Sequence, residues 1–101
     1  MAIQTEVIEW RGGSAEGIVI ELPRTTLLIL STSKGYLMCG ALDIPILDAL
    51  HPEREIVAAR AVGVRNLSQL LDAPIKDCTR AAQALGVFSG MAGRDALVLM
   101  A

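Results

Sequence analysis

The sequence predicts an α+β fold, with a mostly antiparallel sheet that starts as a four-stranded meander and helices packed on one face. Two observations predict this fold. Four segments with strand patterns fill the first forty residues, and the turns between them are short, as antiparallel neighbours allow. Patterns typical of helices come only later in the chain. At 101 residues, the chain is expected to form one domain, residues 1–101.

The four predicted strands either alternate apolar and polar residues or run apolar between turn residues. They cover residues 3–10, 17–22, 26–32 and 36–39. Paired glycines within residues 11–14 supply the first turn, Pro23 ends the second strand, and Gly35 lies in the tight connection before the fourth.

A short helix is predicted after the meander. Asp43 is a good N-cap, and residues 46–50 supply the apolar stripe of this helix. His51 stops the helix, because the residue before a proline, here Pro52, avoids the helical region. His51 is also the only histidine, and its position gives it a capping or surface role.

The stretch 57–74 is the centre of the predicted fold. It opens as an apolar run, typical of a strand buried on both faces, and Arg60 interrupts that run. Asn66 and Gln69 then have the spacing of a capping box, which predicts a short helix that ends at Leu71.

The strongest helical periodicity lies at residues 75–85, where apolar residues recur at helical spacing and Gly86 supplies a left-handed stop. The pattern then predicts a short strand at 87–89, a glycine loop at 90–93 and a terminal helix at 94–100. The apolar pair Val98 and Leu99 near the end of this last segment is also compatible with a strand, which stays the alternative there.

Composition predicts a homo-oligomer. The chain is 52% hydrophobic but holds only one Trp, one Tyr and one Phe, so its apolar surface is aliphatic and hard to hide in one small protomer. The net charge of -2, without a basic face or interleaved aromatic residues, argues against a nucleic-acid partner.

The expected location is the cytoplasm. The first ten residues carry no Lys or Arg, unlike a secretory leader, and no apolar run is long enough to cross a membrane. Cys39 and Cys78 lack the spacing of metal ligands, so neither a metal nor a cofactor is expected, and two isolated thiols fit a reducing compartment.

Several separated motifs resemble the YunC-like family of small bacterial and archaeal proteins, a domain of unknown function. They are residues 35–43 (GYLMCGALD), 60–65 (RAVGVR), 70–74 (LLDAP) and 90–97 (GMAGRDAL). The resemblance covers roughly residues 15–100 and implies a single-domain α+β fold without an assigned activity. The chain departs from the family pattern at Ala59, Ala92 and Asp95, where the family has Gly, Ser and Glu.

Cys39 and Asp43 are the candidate catalytic residues. A thiol at a strand end before Gly40 resembles an exposed nucleophile elbow, and with Arg60 and Asp43 it would make a small enzyme or reactive-thiol protein. The alternative is a buried, inert thiol with Asp43 serving only as an N-cap. The sequence favours the alternative, because no histidine is placed to activate the thiol.

Five residues are the candidate ligands of a small anion, and they are Arg60, Arg65, Gly90, Gly93 and Arg94. The two central arginines can bind oxyanions in pairs of hydrogen bonds, and the glycine loop can form a backbone nest. We expect them to gather near Cys39 and Asp43. The alternatives are salt bridges from the arginines to Asp72, Asp43 or an interfacial Glu, and a tight turn at the glycines. The leading function is therefore a non-catalytic, homo-oligomeric module that binds a small anion or serves assembly.

Overall fold

A computed structural model describes residues 2–50 and 52–101, and within them the α+β prediction is confirmed. Six strands form one sheet in chain order from edge to edge. The strands are β1 (Ala2–Trp10), β2 (Gly13–Leu22), β3 (Thr25–Ser31), β4 (Tyr36–Met38), β5 (Ala58–Arg60) and β6 (Asp77–Cys78). The helices are α1 (Ile44–Leu50), α2 (Leu67–Asp72), α3 (Arg80–Ala84) and α4 (Gly93–Leu99), with a 3₁₀ turn at Pro52–Arg54. No helix among the described residues has the length and apolar character needed to cross a membrane.

The first four strands form the predicted antiparallel meander. The first two turns hold two residues each, since Trp10 pairs with Gly13 and Leu22 pairs with Thr25. β2 thus begins at Gly13, whereas the pattern predicted a start at residue 17. Gly12 makes this early start possible, because its φ of +116° lies in the left-handed region that a tight hairpin requires.

The predicted central strand exists but is short. β5 holds three residues, runs parallel to β4 and pairs antiparallel with β6 on its other side. Ala58 and Ala59 are fully buried, as expected of a strand between two neighbours. α1 lies in the crossover that precedes β5 and ends at Leu50, where a stop was predicted, while His51 itself is outside the described residues.

The prediction of one helix over residues 75–85 is wrong, because this segment forms β6 and then α3. The amide of Lys76 donates to the carbonyl of Arg60, and the amide of Thr79 donates to that of Ala58. β5 therefore takes the hydrogen bonds that a continuous helix would have made within itself. The hydroxyl of Thr79 then starts α3 by accepting a bond from an amide of its first turn.

The prediction of a strand at residues 87–89 is also wrong. The amide of Val87 donates to Ala82 and that of Gly90 to Ile75, so the segment closes turns against α3 and the loop before β6. Gly86 is the predicted left-handed stop, with a φ of +100°. The terminal segment is the helix α4, and the strand left open for it is excluded.

The sheet has two different faces, because successive side chains of a strand point to opposite sides. We call one the covered face, and it presents Leu28, Leu30 and Leu37 to the core. Leu70 of α2 and Leu97 of α4 belong to the same buried cluster. The two helices that pack on the meander thus lie on one face, as predicted.

Two glycines let these helices come close to the sheet and to each other. A Cβ atom on Gly17 would lie 2.6 Å from Cδ1 of Leu67 on α2. A Cβ atom on Gly93 would lie 2.6 Å from the carbonyl oxygen of Leu70 and 2.7 Å from Cδ2 of Leu37. A side chain at Gly93 would therefore push α4 away from α2 and β4, whereas one at Gly17 would first displace the end of the Leu67 side chain.

Candidate functional site

Arg60 forms an ion pair inside the fold. Its Nε donates to Oδ1 of Asp77 and its Nη2 to Oδ2, both at 2.8 Å, and its Nη1 donates to the carbonyl of Leu42 at 3.2 Å. The partner, Asp77, lies directly opposite Arg60 in the register of β5 and β6 and was not among the carboxylates considered from the sequence. The guanidinium therefore fixes β6 and the loop before α1 to β5.

Arg65 lies just before α2, whose N-terminus is built as the capping box predicted. Oδ1 of Asn66 accepts the amide of Gln69 at 2.8 Å, and Oε1 of Gln69 accepts the amide of Arg65 at 2.8 Å. The second bond reaches one residue further back than the N-cap itself. It holds the backbone of Arg65 while the exposed side chain makes no ion pair with any described residue.

The glycine loop is a tight turn whose amides are occupied. The amide of Gly90 donates to Ile75 and that of Gly93 to Ala73, and Ala92 pairs with Pro74 in an isolated bridge. These bonds leave Gly90 and Gly93 with no amide free for an anion. The arrangement matches the alternative considered for this loop.

Arg94 forms an ion pair with Asp72, the last residue of α2. The loop and Arg94 therefore lie at the carboxyl end of α2, whereas Arg65 precedes its amino end. Six helical residues, about 9 Å at 1.5 Å each, stand between the two groups. The structure thus places Arg94 and Gly93 together at the end of α2 opposite to Arg65, and Asp77 engages the guanidinium of Arg60.

Cys39 is a buried core residue with 7% of its surface exposed. Its sulfur accepts the amide of Leu28 at 3.5 Å, on the covered face. Arg60 pairs in register with Met38, whose side chain points to the opposite side of the sheet from that of Leu37. The thiol and the guanidinium therefore belong to different sides of β4 and β5.

Asp43 is the N-cap of α1, as predicted. Its Oδ1 accepts the amide of Ile46 at 3.2 Å, two positions into the helix after Ile44. This bond accounts for the carboxylate, and the described residues place no acid or base beside it that would make a catalytic pair.

We expect both cysteines to resist alkylation until the protein unfolds. Cys78 is buried, and its burial raises the pKa of its thiol, which lowers the thiolate fraction at neutral pH. Iodoacetamide at pH 7 should label Cys39 and Cys78 at least about tenfold more slowly in buffer than in urea, because labelling requires opening of the core. A C78S variant isolates the Cys39 signal. Fast labelling of Cys39 in the native protein below pH 7 would favour the thiol enzyme instead.

The second face of the sheet, which we call the open face, carries two adjoining apolar rows. Side chains directly opposite each other in neighbouring strands share a face. One row is Ile3, Ile20 and Leu27, and the next is Thr5, Ile18 and Ile29. Ile3 is 59% exposed, the four residues on β2 and β3 are half-buried, and none of these six belongs to the core cluster.

A groove at the end of the meander brings together two arginines from distant positions in the sequence. Its cavity measures about 640 Å³ and lies between the turn that joins β2 to β3 and the segment before α2. Arg24 and Arg65 line it together with Glu21, Thr25, Thr26 and Val64. Neither arginine has an ion-pair partner among residues 2–50 and 52–101.

The sequence interpretation missed both of these surfaces. The alternation of β2 does place Ile18 and Ile20 on one face, but it does not tell which face the helices will cover. Arg24 had a clearer signal, because it follows Pro23 at the turn position where glycine is usual. An arginine at that position is unusual enough to be noticed.

Comparisons with known proteins agree with the resemblance seen in the motifs. A family described as "Domain of unknown function (DUF1805)" matches residues 38–100. The "Uncharacterized protein YunC" of Bacillus subtilis (strain 168) is 49% identical over 83 residues, which are 82% of each chain. A crystal structure of a protein of unknown function, TA1206 from Thermoplasma acidophilum, superposes with a TM-score of 0.85 at 27% identity and covers 99% of this chain and 94% of that one.

Proposed function

Because the chain belongs to the DUF1805, or YunC-like, family of unknown function, we propose its function from its geometry: it is a homo-oligomeric module that assembles through the open face and binds a small anion. The observation that carries the proposal is the pair of apolar rows on that face. A single chain leaves these aliphatic side chains outside its own core.

The open face is well suited to a second copy of itself. Its two apolar rows hold five aliphatic residues and one threonine, so the centre of a contact between two such faces buries no charge, and Glu16, which pairs with Val7 in the next row, would lie at its rim. Three strands spaced about 4.8 Å apart, over seven residues of about 3.4 Å each, give roughly 340 Å² of flat sheet before side-chain relief is counted. The three residues of β4 add roughly 50 Å² on the same spacings, so the flat area comes to about half of the ~800 Å² that each partner gives to a standard interface.

The symmetry of such a pair follows from the identity of the two surfaces. Two copies related by a two-fold axis would bury the same residues on each side, which is the commonest form of homo-oligomer. Their sheets would pack face to face about 10 Å apart, like the layers of a sandwich. Ile18 and Ile20 of one copy would then contact the aliphatic side chains of the other.

The alternative, an enzyme that uses Cys39 with Arg60 and Asp43, has less support. Cys39 is buried, Arg60 is held by Asp77, and Asp43 caps a helix. Each residue therefore has a structural role that accounts for it. Two free and buried cysteines also fit the reducing cytoplasm that we propose as the location of the protein.

Light scattering coupled to size exclusion tests the assembly. At micromolar concentration we expect a mass of at least twice the 10.7 kDa of one chain, because the open face removes apolar area from water on pairing. Dilution toward nanomolar concentration should lower the mass if the equilibrium is reversible. A mass that stays at 10.7 kDa up to about 100 μM would reject the proposal, because any association would then be weaker than that of a typical stable interface.

A further inference from the structure

We propose that the groove between Arg24 and Arg65 is the anion site of the module and that it takes the oxyanion group, phosphoryl or carboxylate, of a small molecule. This inference rests on the anion-binding part of the proposed function. It keeps Arg65, which the sequence placed at such a site, and replaces the glycine loop by the turn between β2 and β3. That exchange rests on the hydrogen bonds that occupy the amides of Gly90 and Gly93, and on the position of this loop at the other end of α2.

Arg24 occupies a turn position that its own backbone disfavours. The hairpin turn consists of Pro23 and Arg24 alone, because Leu22 pairs with Thr25. The φ of Arg24 is +64°, in the left-handed region, and a turn with proline first normally places glycine second. Strained non-glycine residues cluster at functional sites, and Arg24 is one of the residues that line the groove.

Arg65 reaches the same groove from a fixed backbone. Its amide is held by Gln69, and Asn66 anchors the start of the helix that follows. The other two arginines predicted at an anion site, Arg60 and Arg94, are neutralised by Asp77 and Asp72. Arg65 is thus the one of the three whose guanidinium has no carboxylate within salt-bridge distance among the described residues.

The groove offers the donors that an oxyanion requires. Two guanidinium groups can each donate a pair of parallel hydrogen bonds to phosphoryl or carboxylate oxygens. Thr25 and Thr26 also line the groove, and a threonine hydroxyl can add a neutral donor. Val64 and Leu22, both half-buried, supply the accessible apolar part of the lining, so a small molecule with a short apolar body and an anionic group suits the site.

Glu21 also lines the groove and sets a limit on affinity. Its carboxylate is not within 4.0 Å of either arginine, so it does not neutralise them by contact. Its charge nevertheless repels an anion that enters the groove. Removing that charge should therefore tighten binding, which gives the proposal a variant that gains function.

Calorimetric titrations with inorganic pyrophosphate and with citrate, at constant ionic strength, test the site and separate the two kinds of oxyanion. We expect at least one probe to bind the wild type, with the Kd raised tenfold or more in R65Q and in R24G and lowered a few-fold in E21Q. R54Q, which removes a charge from the 3₁₀ turn outside the groove lining, is the matched control and should bind as the wild type does. R24G should also raise the melting temperature, because glycine relieves the strained turn.

Failure of the site and failure of the assembly give different results. The proposed groove is overturned if neither probe binds the wild type. It is also overturned if R65Q binds a probe as tightly as the wild type does. An equal loss of affinity in R54Q also overturns it, because the effect would then be one of total charge. Light scattering on the same samples reports assembly separately: an oligomer without binding rejects only the groove, and a monomer that binds rejects only assembly.

Discussion

Replacement of Thr79 by valine is expected to destabilise the fold by about 2–4 kcal/mol, the largest single effect that we predict on stability. The hydroxyl of Thr79 is fully buried and joins three elements. It donates to the carbonyl of Ile56, accepts the amide of Ala58 at 3.1 Å and accepts the amide of Ala82 at 3.3 Å. Valine has the same shape but leaves these buried groups without a partner, and each such loss costs about 1–3 kcal/mol.

Urea unfolding followed by circular dichroism measures this effect. T79S is the matched control, because serine keeps the hydroxyl and loses only a methyl group. It should cost about 1 kcal/mol, well below the cost of T79V. Equal stabilities for T79V and the wild type would show that Thr79 does not hold β5 to α3 in the way that its hydrogen bonds indicate.

Replacement of Ile20 by lysine should convert the oligomer into monomers. Ile20 lies between Ile3 and Leu27 in the first apolar row of the open face. In a single chain the ammonium group can reach water, but in a face-to-face pair it would be buried opposite an aliphatic surface without a partner. We expect the dissociation constant to rise at least about 100-fold, equivalent to about 2.8 kcal/mol.

Light scattering should then report a mass near 10.7 kDa for I20K at concentrations where the wild type is an oligomer. F88K is the matched control, because Phe88 is 60% exposed and lies in the turn segment between α3 and α4, outside the open face. It adds the same charge at an apolar residue outside the open face and should leave the mass unchanged. An oligomeric I20K of unaltered mass would place the interface elsewhere.

Local chemistry made the meander predictable. Its turns depend on residues adjacent in sequence, such as Gly12 and Pro23, and its strands need no partner beyond the next segment of chain. The N-caps Asp43 and Asn66 were predictable for the same reason, since each bonds an amide three residues ahead. These features are the part of the fold that sequence spacing determines.

Features that depend on distant contacts were not predictable. Residues 75–85 have helical periodicity, but β5 lies beside them in space and takes the amides of Lys76 and Thr79. Likewise, the partner of Arg60 is Asp77, seventeen residues away, and no spacing rule pairs them. In the first case tertiary hydrogen bonds overrode a local preference, and in the second no local pattern encodes the contact.

The anion-binding chemistry of the candidate site stays a prediction, and the sequence did not predict its place in the fold. An anion site around Arg65 was inferred from chain breaks that were assumed to meet at one edge of the sheet. The glycine loop instead meets the carboxyl end of α2, and the turn at Arg24 is what lies beside Arg65. The open face escaped prediction because the same alternation of β2 is compatible with helices on either side.

Intermolecular contacts measured by nuclear magnetic resonance test the proposed assembly most directly. A sample that mixes isotope-labelled and unlabelled chains reports only contacts between different copies. The assembly predicts intermolecular contacts from the methyl groups of Ile18, Ile20, Leu27 and Ile29 to one another, since these lie in the two rows of the open face. Contacts that come only from other surfaces, or no intermolecular contacts at millimolar concentration, would contradict it.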